Sequence, residues 1–276
     1  MLRRLVLATL AVASTSLLLG AARADDATVP VPKTTDAIVF ESSARLGAGW
    51  SEIALGGNGP KAWDESISPE FRASLRVLAG LFEGKLELGV VFDRFAHFAD
   101  IDADTVRGEL QLGINTGAWS YLAEWKRRNV LDTEFGDLRG RFNNYDVRVK
   151  HRFAGDLFSG LPVGLFQASL AAGYVVATPD FFERTFAEAE LELVQGFANG
   201  FAVIVAPKLE LRDYLDFAGT DRKDAIVSLR IAPTYSFGGG LTLSLEGQAT
   251  IALSTLETKS GETWSFTPIL RLQKGL

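Results

Sequence analysis

The segment Lys85-Leu86-Glu87-Leu88-Gly89-Val90-Val91-Phe92-Asp93 alternates apolar and charged side chains with a period of two. One face carries Leu86, Leu88, Val90 and Phe92, and the other face carries Lys85, Glu87 and Asp93. Because successive side chains of an extended chain point to opposite faces, the pattern predicts a β-strand with one apolar and one polar face.

The same alternation recurs from about residue 36 onward, in twelve segments of roughly 10–15 residues each. The segment 184–194 is rich in Ala, Glu and Leu, which favour a helix, but its strict alternation favours a strand. The twelve segments lie around residues 39–50, 71–81, 85–93, 107–114, 119–128, 145–150, 166–176, 187–193, 203–212, 227–237, 241–253 and 264–272.

The connections between these segments alternate between short and long. The short ones contain Gly and Asn, which adopt positive φ at little cost in tight turns; they are Glu83-Gly84-Lys85, Asn115-Thr116-Gly117, Ala198-Asn199-Gly200 and Gly238-Gly239-Gly240. The longer polar connections are 56–69, 99–104, 129–143, 179–184, 216–224 and 257–262, and 155–164 is a long member of the short set. This order predicts an antiparallel up-and-down meander.

The apolar faces could meet each other in a soluble two-sheet sandwich or face lipid. The segments exceed the roughly 5–6 residues of soluble strands and reach the roughly 9–11 that cross a bilayer. Aromatic residues also form two bands, as expected at two membrane–water interfaces. The band near the short turns is Trp119, Phe153, Phe166, Phe201, Tyr235 and Phe237, and the band near the longer loops is Trp50, Phe71, Trp125, Tyr145, Tyr174 and Trp264.

Strands in lipid must close into a barrel, because an open sheet edge would leave backbone groups without hydrogen bonds. The pattern over residues 36–276 therefore predicts a single all-β domain, a transmembrane antiparallel up-and-down β-barrel of about twelve strands. Pro207, Pro233 and Pro268 fall on strands and each removes a hydrogen-bond donor, so we expect bulges there.

The even strand number, the alternation of turns and loops, and a leader sequence resemble the outer-membrane β-barrels of Gram-negative bacteria. The size is similar to that of the twelve-stranded monomeric sugar-acid channels, although no motif diagnostic of them is present. The resemblance implies contact with outer-membrane lipid and lipopolysaccharide, and a barrel-assembly machinery as partner during biogenesis. The terminal Leu272-Gln273-Lys274-Gly275-Leu276 departs from the aromatic last residue usual in such barrels.

Residues 1–24 predict a cleaved secretory signal peptide: a basic start at Arg3 and Arg4, an apolar stretch, and the small-x-small site Ala22-Arg23-Ala24. Residues 25–35 are expected to form a flexible segment before the barrel. Cleavage removes three arginines and no acidic residue, which takes the formal net charge from −6 to −9. The protein contains no cysteine, which excludes disulfides and thiolate metal sites.

If the apolar faces point outward, the polar faces line the inside of the barrel with charges of both signs. The inward basic set is Arg45, Arg72, Arg76, Lys85, Arg107, Lys126, Arg128, Arg148, Lys150, Arg152, Lys208, Arg212, Arg230 and Arg271. The inward acidic set is Glu41, Glu87, Asp93, Glu109, Glu124, Asp146, Glu188, Glu190, Glu192, Glu210 and Glu246.

The signs separate in one region, where a basic strip from Lys126 to Arg152 lies two strands from the row Glu188, Glu190 and Glu192. Such strips would set a transverse field across a narrow aqueous constriction. Alternatively, the charges pair and fill the barrel. Barrels of about eight strands are filled by side chains and barrels of about sixteen strands leave a channel, so twelve strands are compatible with either. The connection around 133–142 is the expected candidate to fold into the lumen.

The sequence offers little for catalysis or cofactor binding. His97 and His151 lack the Ser two residues later that marks the twelve-stranded membrane phospholipases, so we expect no enzyme; a lipid-modifying barrel enzyme is the least favoured alternative. The residues Asp100, Asp102 and Asp104 have the start of a calcium-loop spacing but lack its Gly and closing Glu, so we expect no metal site there. No cofactor and no nucleic-acid partner are expected.

The favoured function is a narrow passive, porin-like channel for small hydrophilic or charged solutes in the outer membrane. The alternative is a non-conducting envelope barrel that interacts with polysaccharide, lipopolysaccharide or an assembly partner.

Overall fold

The computed structural model describes residues 37–54, 61–153, 163–217, 219–256 and 259–275. The predicted signal peptide at 1–24 and the segment 25–35 lie outside the described residues. Within the described residues, no helix is long and apolar enough to cross a membrane.

Twelve antiparallel strands form a closed barrel in which each strand pairs with its neighbours in sequence and β1 pairs with β12. The predicted fold class is therefore confirmed. The strands are β1 Ala37–Ala54, β2 Lys61–Ala79, β3 Phe82–Phe95, β4 Ala103–Thr116, β5 Trp119–Leu131, β6 Leu138–Phe153, β7 Val163–Thr178, β8 Arg184–Gly196, β9 Phe201–Phe217, β10 Thr220–Gly238, β11 Leu241–Ser254 and β12 Gly261–Gly275.

The outer surface of the barrel is apolar and exposed. Val147 of β6 and Leu170 of β7 are 64% and 65% exposed, and they belong to the outward phase of their strands. Such a surface is favourable in a hydrocarbon environment, and closure leaves no sheet edge without partners. Ring contacts join outward aromatics near the short turns, such as Phe153 with Phe166 at 4.5 Å and Tyr235 with Phe237 at 4.8 Å between centroids.

The strands have 13 to 19 residues and are longer than predicted, so the connections are shorter. The predicted turn Glu83-Gly84-Lys85 is wrong: the chain turns at Gly80-Leu81, with Gly80 at φ 58°, and continues through β3. Most of the predicted loop 216–224 is also strand, because β9 ends at Phe217 and β10 begins at Thr220. Of the predicted loop 56–69, residues 61–69 belong to β2, and residues 56–60 lie outside the described residues. Of the predicted loop 129–143, residues 129–131 belong to β5 and residues 138–143 to β6.

The expected bulges at the three prolines are wrong. Pro207, Pro233 and Pro268 each pair with one neighbouring strand, while the ladder on the other side is interrupted and resumes in the same register. A missing N–H removes a hydrogen bond toward one neighbour only, so the register survives. The register shifts that do occur in the described residues lie elsewhere, near Leu131, Thr220 and Ser236.

The loop expected to fold inward does not do so. The ring of Phe135, in the β5–β6 connection, packs at 5.6 Å on Phe92 of the outward phase of β3. Its N–H donates to Asp104, whose carboxylate also binds Arg94 at 2.6 Å. These contacts hold the loop against the outer wall.

The β7–β8 connection folds inward instead. Phe182 is 4% exposed and packs with the inward residues Phe142 of β6 and Val175 and Ala177 of β7. These four residues are called the apolar cluster below. The apolar cluster occupies part of the lumen at the end of the barrel where β7 connects to β8.

Candidate functional site: the charged lumen

The inner wall carries the charges. All fourteen basic and eleven acidic residues of the predicted sets occupy strand positions that alternate with the outward apolar residues, and therefore face the interior. Several are almost fully enclosed, such as Glu87 at 4%, Arg148 at 7% and Glu192 at 5% exposure. The interior is therefore narrow and densely lined with ionisable side chains.

Glu70 of β2 is the centre of the first ion-pair network. Its carboxylate lies 3.2 Å from Arg45 Nη1, 2.5 Å from Arg72 Nε and 3.1 Å from Arg107 Nη1. Arg107 belongs to β4 and reaches Glu70 across Gly89 of β3, which has no side chain in the way. Three guanidinium groups around a residue that is 2% exposed compensate its desolvation.

Glu70 is not among the predicted inward residues, because the strand was predicted to start at Phe71 and residues 56–69 were predicted to form a loop. The signal that could have found it is the phase: Glu70 continues the inward series Arg72, Ser74 and Arg76 by one step.

A second network runs along β5 to β9. Arg148 Nη1 lies 2.8 Å from Glu188 Oε1, and its Nε lies 3.5 Å from Glu124 Oε2. Lys126 Nζ binds Glu124 at 2.6 Å, and Lys208 Nζ binds Glu188 at 2.6 Å. The network thus joins the predicted basic strip to the predicted acidic row.

The expectation of two separate strips facing each other is therefore wrong for Arg148 and Glu188. They neutralise each other because Ala171, the β7 residue between them in the register, is too small to separate them. Arg230 similarly bridges from β10 to Glu192 of β8 at 3.4 Å across Ala206.

A third group lies near the loop end of β8 to β10. Arg212 binds Glu210 through two nitrogens at 2.6 and 3.0 Å, and Arg222 binds Asp224 at 3.0 and 2.5 Å. Arg222 also stacks over the ring of Tyr214, with its Cζ 4.2 Å from the ring centroid. Sequence reasoning missed Arg222 and Asp224 because it placed them in a loop.

All ion pairs among the described residues join side chains on the same strand, on neighbouring strands, on strands separated by a single strand, or in an adjoining loop. In this part of the chain, no pair connects opposite walls of the barrel. The charges therefore line the wall in networks that run around the circumference.

Several inward cations have no carboxylate partner within ion-pair distance in the described part of the chain. From the predicted basic set these are Arg128, Lys150, Arg152 and Arg271, and the structure adds Arg184, which was not predicted. Arg128 stacks on Phe142 of the apolar cluster, with its Cζ 4.6 Å from the ring centroid.

The two histidines do not form a catalytic group. His151 faces outward between Trp119 and Phe153, with ring centroids 4.2 and 4.6 Å away. His97 lies in the β3–β4 connection, and its Nδ1 is 2.9 Å from Asp64 Oδ1. Asp64 also accepts the backbone N–H groups of Glu65, His97 and Phe98, so this contact anchors the loop.

The three aspartates with calcium-loop spacing are not brought together. Asp104 is bound by Arg94 and by the Phe135 N–H, while Asp102 accepts the N–H of Phe95. Among the described residues, no group of three acidic or His side chains could hold a metal ion.

No family model and no curated protein matches this chain. Among solved structures, a bacterial polysaccharide outer membrane secretin is similar at TM-score 0.50 and 8% identity, over 84% of this chain and 98% of that one. The translocator domain of the autotransporter NalP from Neisseria meningitidis has a TM-score of 0.44 at 10% identity, over 88% and 90% of the two chains. The KdgM porin, in complex with disordered oligogalacturonate, has a TM-score of 0.42 at 8% identity, over 83% and 98%.

Likeness at these identities concerns the fold alone. A closed barrel of twelve antiparallel strands with an apolar exterior and a charged interior has the architecture of an outer-membrane β-barrel protein.

Proposed function

We propose that the protein is a narrow passive channel for small hydrophilic solutes in the outer membrane, with the inward charged residues as its lining. The observation that supports this most strongly is the direction of the ion pairs. They run along the wall of the barrel, and none in the described residues ties one wall to the opposite one.

The chemistry of the wall fits this function. A hydrated ion or polar solute exchanges part of its water shell for guanidinium, ammonium and carboxylate groups at a constriction. The apolar cluster adds bulk to the inner wall where Phe182 folds inward. Solutes would therefore be small, since the cluster occupies part of the cross-section.

Planar-bilayer recording tests the proposal. The purified protein, shown to be folded by its heat-modifiable migration in electrophoresis, should produce discrete conductance steps in KCl. A heat-denatured sample is the control and should produce none. Folded protein without conductance steps would overturn the channel.

The second candidate is a non-conducting envelope barrel that engages polysaccharide, lipopolysaccharide or an assembly partner. The observation that favours it is the low exposure of inward charges such as Glu70 at 2% and Glu124 at 7%, typical of a filled interior. Liposome swelling with small sugars separates the two, because a filled barrel leaves the vesicles impermeable.

A further inference from the structure

Arg128 and Arg184 face the lumen near the apolar cluster, and neither has a carboxylate within ion-pair distance in the described residues. Buried Nε atoms of both side chains lack hydrogen-bond partners. The Nη1 atom of Arg184 donates a hydrogen bond to the carbonyl oxygen of Phe182 at 3.1 Å. Among the described residues, the two guanidinium groups donate no other hydrogen bond.

The surroundings add positive charge. Arg128 interacts electrostatically with Arg184, Arg107 and Arg212 and with one carboxylate, Asp93. Arg184 interacts with Arg212 and Arg222 and with one carboxylate, Glu210. The carboxylates of Glu70 and Glu210 already bind Arg107 and Arg212, respectively. They are therefore not available to neutralise Arg128 or Arg184. The region between β5 and β8 therefore has an excess of cations over anions.

Each of the two guanidinium groups lies against an aromatic ring. Arg128 stacks on Phe142 at 4.6 Å, and the Cζ of Arg184 lies 5.6 Å from the ring centroid of Tyr214. A guanidinium held in this way loses little conformational freedom when it binds a ligand. Arginine also keeps its charge in this environment, so the repulsion between the two is relieved only by an anion or water.

We propose that Arg128 and Arg184 form a binding site for a carboxylate-bearing solute inside the barrel. A carboxylate accepts two parallel N–H bonds from a guanidinium fork, a geometry that a spherical anion such as chloride does not match. This inference deepens the proposed function, because it names the class of solute that the constriction would retain.

Isothermal titration of the folded, detergent-solubilised protein tests the site, with citrate as probe and glucose as an uncharged probe of similar size. We expect citrate to bind and glucose not to bind. Each of the variants Arg128→Gln and Arg184→Gln should weaken citrate binding about tenfold, which corresponds to about 1.4 kcal/mol.

Arg127→Gln is the matched control, because Arg127 precedes Arg128 on β5 but lies on the outward phase, with its Nε 3.4 Å from Asn129 Oδ1. It removes the same charge from the other face of the strand and should leave citrate binding unchanged. Arg128→Lys keeps the charge without the fork and should give an intermediate affinity.

The outcomes separate the two proposals. Citrate binding that Arg128→Gln and Arg184→Gln leave unchanged, or equal binding of glucose, overturns the site even if the barrel conducts. Arginine-dependent citrate binding by a folded barrel without conductance supports the site and overturns the channel. Because Arg128 forms no ion pair, Arg128→Gln should fold, and Arg128→Lys provides a second folded variant.

Discussion

The Nη1 atom of Arg148 on β6 lies 2.8 Å from Glu188 Oε1 on β8, although β7 runs between the two strands. The contact passes over Ala171, which lies opposite both Arg148 and Glu188 in the β-ladder. Arg230 likewise reaches Glu192 over Ala206, and Arg107 reaches Glu70 past Gly89, which lies opposite Arg107 and Arg72. Small side chains on the intervening strands thus decide which charges pair on the inner wall.

Removal of Arg148 should destabilise the barrel, because it leaves Glu124 and Glu188 without part of their charge compensation. We expect Arg148→Met to lower the free energy of unfolding by about 3–5 kcal/mol, measured by urea titration in detergent micelles. The double variant Arg148→Met/Glu188→Gln should recover part of this loss.

Lys223→Met serves as the control for Arg148→Met. Its partner Asp213 lies at 3.5 Å, and the two side chains are 56% and 52% exposed. An exposed pair contributes about 0–1 kcal/mol. Equal stability of Arg148→Met and Lys223→Met would contradict the role given to the inner network.

Gly89→Val should disrupt the network around Glu70. A Cβ at Gly89 would lie 3.3 Å from the Cγ atoms of both Arg72 and Arg107, so a branched side chain pushes the two arginines away. We expect a loss of about 1–3 kcal/mol in the same urea titration.

The matched control is Gly84→Val on the same strand. A Cβ at Gly84 would meet only Leu112 Cδ2, at 3.8 Å, which is ordinary contact. The two variants add the same side chain to β3, on its inner and outer faces. A similar loss for both would show that strand propensity, and not the bridge over Gly89, explains the effect.

Lys150→Glu should shift ion selectivity toward cations, with a loss of stability because the new carboxylate lies near Glu124 and Glu192. Lys150 faces the lumen but has no carboxylate within ion-pair distance among the described residues, so its replacement leaves no acid unpaired. We expect the cation-to-anion permeability ratio to rise at least about twofold, or about 0.4 kcal/mol, in reversal potentials across a KCl gradient. Lys223→Glu, on the outer face, should leave the ratio unchanged; a native ratio in Lys150→Glu would place Lys150 outside the conduction path.

Phe182→Ala should raise the unit conductance, because Phe182 carries the inward-folded β7–β8 connection into the lumen. Truncation of a buried Phe also costs about 3–5 kcal/mol, so folding is checked by heat-modifiable migration. Phe135→Ala removes the same side chain from the outer wall, where it packs on Phe92, and should conduct like the native protein. An unchanged conductance in Phe182→Ala would show that the apolar cluster does not limit the path.

Much of the architecture could be predicted from local patterns. A period of two assigns each residue to one face without knowledge of its partners, and this pattern is the basis on which Lys126, Arg148 and Glu188 were predicted to face inward. Strand ends were predicted less well, because Gly84 resembles a turn residue but the β2–β3 ladder holds it within a strand. Glu70, Arg222 and Asp224 were missed for the same reason, since they lie in strand extensions that only pairing with neighbours creates.

Alternation along the chain therefore determined the all-β class, the number of strands and the division into an outer and an inner face. The tertiary structure alone decided the pairing of Arg148 with Glu188, the isolation of Arg128 and Arg184, and the inward fold of Phe182. These features depend on the stagger of three adjacent strands and on the size of the residue between two charges. The spacing of residues along a single segment specifies neither the stagger nor the residue that comes to lie between two charges. Both are determined only when the strands pair in the closed barrel.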